Sequence, residues 1–258
     1  MHTVHDPDLR RQLFAELQNI CPKLQAKPCR NIAKIFDVLY NKDGDRLFIV
    51  LEFCNVGSLD RVIKTCGPAP EAMLSVIVRQ LFFGLSYLFE AGIQHRDIKP
   101  ANILMNSKGE VKITDFGSSK ADVKSETFCG TTRYMSPERL NGNTYGWQAD
   151  VWAAGVVMLE AGMGKHPYQA VYGEDCSFVA MLEYTQKPMP QLGENYSESA
   201  RNFASLCVVE NPMLRPSPVQ LLPGGESDLS CAHPFIAEHS SLTSISLLPY
   251  ISRAMSGM

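Results

Sequence analysis

Apolar residues recur along this chain with two periods, one helical and one strand-like, and the changes between them lay out its elements. Leu9, Leu13, Leu17 and Ile20 are spaced as on one face of a helix behind Asp6-Pro7. That spacing predicts a capped amphipathic helix that stops before Pro22. Residues 32–40 and 46–53 then read as two strands, joined by Asn41-Lys42-Asp43-Gly44, a good hairpin turn. A long helix is predicted over 70–91, apolar on more than one face, with Gly92 as its left-handed stop. Two short β-prone runs follow, Ile103–Met105 and 111–114, around the tight-turn sequence Asn106-Ser107-Lys108-Gly109. From 118 to 127 the chain turns polar, and a loop of that length inside a compact domain is functional or disordered. Asp150-Val151-Trp152 opens another apolar helix, ending near Gly162, with Asp150 as its cap.

Composition narrows the class. With 258 residues, 45% of them hydrophobic, the chain can bury the core of one large domain or two small lobes. A net charge of −3 gives no basic field for nucleic acid or an anionic membrane, and neither partner is expected. The most apolar stretches, 73–93 and 151–163, are interrupted by Arg79, Gln80, Glu90 and Glu160, so neither reads as a membrane span. Eight cysteines form no CxxC pair and no His/Cys cluster at zinc-ligand spacing. They read as reduced thiols of a cytoplasmic protein, and the opening residues carry neither region of a secretory signal. His166, His233 and His239 stand apart from other ligand types and read as non-catalytic.

The chemistry concentrates in residues 95–117, HRDIKPANILMNSKGEVKITDFG. A hairpin of Ile103–Met105 and 111–114 brings the loop before its first strand beside the loop after its second, so Asp97 and Asn102 approach Asp115. A carboxylate and an amide oxygen on facing loops make a hard oxygen site suited to Mg2+. Asp97 can accept a proton from a substrate hydroxyl, and Lys99 can neutralise charge on a transferring phosphoryl group. The set reads as equipment for phosphoryl transfer, against the bland alternative of a solvated polar hairpin.

His95-Arg96-Asp97, then Lys99 and Asn102, then Asp115-Phe116-Gly117 resemble, in order and spacing, the catalytic and magnesium loops of protein kinases. The resemblance runs from Asp6 to about Ile236. It implies an α+β, protein-kinase-like fold of two lobes, with a partial antiparallel small lobe over 1–53, a mainly helical large lobe over 54–240, and a tail over 241–258. It implies transfer of the γ-phosphoryl group of ATP, with Mg2+ held by Asn102 and Asp115 and with Asp97, Lys99, Asn102 and Thr131 in the catalytic set. Glu52 and Cys54 would offer backbone groups to the adenine, Leu51 would close the back of its pocket and Leu104 would lie beneath the ring. Leu51 and Leu104 would equally be core residues in almost any fold, and Asp60 either reaches the ribose or begins a helix. Glu16 sits where the family's helix glutamate pairs with a lysine on the third strand. Read from its neighbours alone, it is a solvated Glu at the edge of an apolar stripe. No GxGxxG occurs in the chain, which is expected to begin at the end of the third strand.

After Gly117 the resemblance implies an activation segment, ordered when a phosphate on Thr127, or secondarily on Ser125, pairs with Arg96. As residues of a polar loop, both are equally ordinary turn formers. Residues 129–138 are similar to the segment that ends the activation loop and receives the substrate, with Ser136 where Ala is commoner. Thr131 would bond Asp97 and Lys99, Glu138 would pair with Arg215, and Asp150 would also bind N–H groups of the catalytic loop. Gly130-Thr131 and residues 134–140, with Gly57-Ser58-Leu59-Asp60, are most similar to mitogen-activated protein kinase kinases of the STE group. Asp115-Phe116-Gly117-Ser118-Ser119-Lys120 is closer to the tier above them. The function implied is that of a serine/threonine kinase in a signalling cascade, partnered by a protein substrate, another kinase among the candidates, and by an upstream activating kinase. The alternative is a pseudokinase or kinase fragment that acts only as a binding scaffold.

Overall fold

Helix α1 (Pro7–Ala26) passes through Pro22 instead of stopping before it. The proline removes one N–H from the helical ladder, and contacts from outside hold the last turn. Tyr87 Oη donates to the carbonyls of Lys23 (3.3 Å) and Leu24 (3.4 Å), Gln25 Nε2 donates to Ile35 O (3.4 Å), and Leu24 is buried. The computed structural model describes residues 7–41, 46–115, 132–173, 178–223 and 228–256.

Strands β1 (Ile35–Asn41) and β2 (Arg46–Leu51) pair antiparallel, Leu39 opposite Phe48 and Asp37 opposite Val50. Both are shorter than their apolar runs. Ile32 leaves the pair for a parallel bridge to Ile113, and the segment after β2 turns so that Gly57 N–H donates to Cys54 O (3.1 Å). A second, three-stranded antiparallel sheet has the order β3 (Gly57–Ser58), β4 (Ile103–Met105), β5 (Val111–Ile113). The β4–β5 turn needs glycine twice over: Gly109 has φ +71°, and a Cβ there would lie 1.8 Å from Ser244 O.

Ser58 Oγ accepts the Arg61 N–H (3.3 Å) and so caps α2 (Leu59–Cys66). Helix α3 (Glu71–Glu90) ends at Ala91 and Gly92, the latter at φ +65°. By length and composition α3 could cross a membrane, with a mean hydropathy of 1.6. Here it is enclosed by protein, and its Arg79 and Gln80 are matched within the lobe. Arg79 donates to the carbonyls of His239 and Leu242, while Gln80 accepts the Val111 N–H (3.1 Å) and donates to Gly109 O (3.1 Å).

The larger region continues with α4 (Pro137–Leu140), α5 (Trp147–Met163), α6 (Pro167–Tyr172), α7 (Phe178–Tyr184) and α8 (Glu198–Cys207). It closes with α9 (Pro218–Leu221), α10 (Pro234–Ala237) and α11 (Leu248–Met255). One expectation for α5 is corrected. It starts at Trp147, leaving Asp150 in its first turn and not at the cap; it ends at Met163, near Gly162 as expected, with a left-handed stop at Gly164, φ +76°. Gly162 is a packing glycine, because a Cβ there would meet Leu192 Cδ2 at 2.5 Å. From Ala149 to Gly162 α5 is buried all round, with α3 on one side and α8 so close at Gly155 that a Cβ would meet Cys207 Cβ at 2.6 Å. Within the expected tail, α11 buries Ile251 and Ala254 against α2, and Tyr250 Oη donates to Gly67 O (2.7 Å).

Candidate active site

Arg96 and Asp115 are the two non-glycine residues with positive φ among the described residues, at +67° and +63°. Such backbone is strained and persists only where neighbours over-determine it. At Arg96 they do. Asp150, reaching out of the first turn of α5, accepts the N–H of Arg96 at Oδ1 (2.7 Å) and of His95 at Oδ2 (2.8 Å), and Arg139 Nη1 donates to Arg96 O (2.6 Å). Burial pushes the Asp150 carboxyl above its usual range, against the pull of the His95 and Arg96 N–H groups.

The imidazole of His95 fastens this loop to the end of β5. Its Nε2 faces Thr114 O (2.8 Å), which can only accept, and its Nδ1 takes the Asp97 N–H (3.3 Å), which can only donate. The ring is therefore the neutral tautomer protonated on Nε2. Thr114 N–H in turn donates to Asn102 O (3.0 Å). The loop before β4 and the loop after β5 thus lie side by side, with Asp115 next to a residue bonded to both His95 and Asn102.

Asp97 is buried and made to face one way. Its Oδ2 accepts from Asn102 Nδ2 (2.8 Å) and lies 2.9 Å from Lys99 Nζ. Asn102 Nδ2 also donates to Asp97 O (2.9 Å), so the amide nitrogen is committed to Asp97 and Oδ1 is the atom turned elsewhere. Thr131, Thr127 and Ser125 lie outside the described residues.

In the segment expected to meet an adenine, Glu52 N–H donates to Lys34 O (2.8 Å) and Cys54 O accepts from Gly57 (3.1 Å). The complementary groups of the segment are the Glu52 carbonyl and the Cys54 N–H. Burial, helped by the Glu52 charge, pushes the Cys54 thiol up. Leu104 is half-buried while Ile103 and Met105 beside it are wholly buried, and it stands opposite Lys112 in the sheet. Asp60 lies in the first turn of α2, 2.9 Å from Lys64 Nζ, and the start of the helix belongs to Leu59 with Ser58 as the cap. Glu16 is half-buried beside the fully buried Leu17.

Glu138 and Arg215 meet as a two-pronged pair, Oε1 to Nη1 at 2.7 Å and Oε2 to Nη2 at 2.8 Å, and the guanidinium lies over Trp152. Burial raises the Glu138 carboxyl, but Arg215 outweighs it and the net shift is downward.

Three partners escaped the sequence reading. Arg139 supports Arg96. Tyr134 donates to Glu160 Oε2 (2.6 Å), next to His166, whose Nε2 contacts Arg133 O (3.1 Å). Lys112 pairs with Glu52 (3.2 Å). The signal for Lys112 was a charge at the centre of an apolar strand, where a lysine must have partners. His239 is less isolated than expected, since ligand atoms of Glu71, Glu238 and His239 lie within 4.8 Å of one another. These groups are used structurally: Glu71 accepts from Ser197 N–H and Oγ (2.6 Å each), Glu238 accepts from Ser199 (2.8 Å), and His239 Nδ1 contacts Phe235 O (3.1 Å).

Comparison with known proteins agrees with this geometry. Residues 3–224 match the protein kinase domain. Mitogen-activated protein kinase kinase 3 of Arabidopsis thaliana is 36% identical over 242 residues, 92% of this chain and 44% of that protein. Mitogen-activated protein kinase kinase 2 of the same plant is 36% identical, covering 89% of this chain and 62% of the relative. MAP kinase kinase skh1/pek1 of Schizosaccharomyces pombe is 36% identical, covering 83% and 61%. The chain spans about half to two thirds of the length of these relatives. An aspartate, lysine and asparagine locked together beside a left-handed Asp115, on a fold matched over most of its length, place this chain in the protein kinase family.

Proposed function

We propose that this protein transfers the γ-phosphoryl group of ATP to a serine or threonine hydroxyl of a protein. The observation that carries the reading is Asp97, buried and aimed by Asn102 and Lys99 within 2.9 Å. A carboxylate so held can orient a substrate hydroxyl and take its proton as the oxygen attacks phosphorus. Lys99, on the same carboxylate, is near enough to follow the charge that spreads over the transferring group. The segment from Glu52 to Cys54 offers an acceptor and a donor, the pair an adenine edge requires.

The donor set fits Mg2+. Asn102 has its nitrogen engaged and its amide oxygen left over, and Asp115 directly follows Thr114, whose N–H is bonded to Asn102 O; an amide and a carboxylate supply the hard oxygens this ion takes. When bound, the ion would neutralise phosphate charge and orient the triphosphate. Likeness to the mitogen-activated protein kinase kinases supports a place in such a cascade, with another kinase as substrate and an upstream kinase acting at Thr127 or Ser125. Arg96, whose Nε is 3.4 Å from Gln94, is the arginine that would receive that phosphate.

The test is incorporation of labelled phosphate into a generic protein acceptor from MgATP. Wild-type protein should label it, and Asp97→Asn should reduce labelling by about 10³-fold, within the range for loss of a proton-accepting group. Labelling that survives Asp97→Asn, or its absence from the wild type, would sink the reading.

A further inference from the structure

Lys112 sits in mid-strand between Val111 and Ile113, both fully buried, and its own side chain is 4% exposed. The phosphoryl-transfer reading makes no use of it. Its Nζ donates to Arg30 O (2.7 Å) and lies 3.2 Å from Glu52 Oε1 and 3.5 Å from Glu110 Oε2. These partners come from three places: the link between α1 and β1, the residue that follows β2, and the β4–β5 turn. An ammonium has three protons to donate, so one compact charge can serve all three acceptors.

The partners are themselves fixed. Glu110 accepts from Asn106 Nδ2 (2.7 Å), and although burial pushes its carboxyl up, that hydrogen bond and the Lys112 charge outweigh it. Glu52 is held through its other oxygen by the Lys34 N–H (3.2 Å). From Lys112 the chain runs by way of Ile113 and Thr114 straight to Asp115, and the strand beneath is paired residue by residue with β4.

We propose that Lys112 is a positioning residue that ties the start of the 52–56 segment to β5 and so fixes the adenine-binding backbone relative to the metal ligand Asp115. The inference rests on the nucleotide-binding reading of 52–54. One nucleotide must satisfy both ends of the site at once, so an error in the spacing between them is felt as lost affinity. Lys112→Met keeps the stem and removes the charge, leaving the Glu52 and Glu110 carboxylates without this cation and Arg30 O without this donor.

The experiment compares wild type, Lys112→Met, Lys112→Arg, Glu52→Gln and the double variant Lys112→Met/Glu52→Gln in the full chain. Amide hydrogen exchange is followed on the free proteins, and binding of a fluorescent ADP analogue with Mg2+ is titrated. Lys112→Met should speed exchange across 52–56 about tenfold while leaving α5 unchanged, the effect of losing one charge-assisted hydrogen bond locally. Affinity for the analogue should fall about tenfold, with KM for ATP raised and kcat unchanged. Lys112→Arg should recover most of both effects, and Glu52→Gln should give the same faster exchange across 52–56 and the same fall in affinity without adding in the double variant. Glu52→Gln breaks the pair from its more exposed partner, so it remains informative even where Lys112→Met folds poorly. Unchanged exchange at 52–56, or an equal acceleration in α5, overturns the proposal. A wild type that binds no nucleotide overturns the functional reading instead, and the exchange data still decide the role of Lys112.

Discussion

The two sheets of this molecule draw on similar residues and end in opposite circumstances. In β1 and β2 the face carrying Leu39, Phe48 and Val50 is open, these residues being 50%, 39% and 42% exposed, and Phe36 at the bulge is 62% exposed. In β4 and β5 the residues Ile103, Met105, Val111 and Ile113 are all fully buried, with α3 so close that a Cβ on Gly84 would meet Ile113 Cδ1 at 2.8 Å. Both obey the two-residue alternation of a strand. Only the embedded sheet can serve as a reference frame, because close-packed neighbours on its core face leave it nowhere to shift. The polar groups of the candidate site are all hung from it or from α5. The open sheet contributes the approach to Glu52.

If that contrast is right, cost should track attachment to the embedded frame. Asp150→Ala should do the most harm, about 3 kcal/mol in a denaturant titration, because it leaves the N–H groups of His95 and Arg96 without an acceptor and each orphaned group costs about 1–3 kcal/mol. A loss below about 1 kcal/mol, no more than an ordinary surface substitution causes, would break the contrast.

An intermediate effect is expected from pH. Buried His166, packed edge-on to Tyr134, has its imidazole pulled down to about 4 by burial. The unfolded chain takes up that proton near pH 6.5 and the folded one only near 4, so acidification through this window favours unfolding, by at most about 3 kcal/mol. In His166→Gln that part of the slope should vanish between pH 6.5 and 4, while the steeper fall from carboxylates such as Glu138 is kept. Parallel stability curves for the two proteins would refute it.

The smallest effect belongs to the open sheet. Phe48→Thr, on the exposed face of β2, should change stability by about 0.5 kcal/mol or less, as surface substitutions do. A loss above about 2 kcal/mol would mean that this face is covered in solution and would remove the contrast between the sheets.

Much of the molecule could be read in advance because the governing physics is local. Helical spacing, the Asn106–Gly109 turn, the stop at Gly92 and the short strands around the turn all depend on residues a few positions apart. The misreadings have a common cause. Pro22 looked like a stop, yet distant Tyr87 and the start of β1 hold the turn beyond it. Asp150 looked like a cap, yet the helix starts three residues earlier at Trp147; its carboxylate instead serves the N–H groups of residues 54 and 55 positions earlier, the role the family resemblance implied.

The sequence by itself determined the family, the ordered set of Asp97, Lys99, Asn102 and Asp115, and the hairpin that brings their loops together, since these follow from residue types at short spacing. Only the tertiary structure decided what holds them. The left-handed Arg96 is fixed by Arg139 as well as by the Asp150 that the resemblance implied, the tautomer of His95 by Thr114, and the attachment of Glu52 to β5 by Lys112. A buried polar group must find a partner, but the residue that supplies it is chosen by how helices and strands far apart in the chain come to pack.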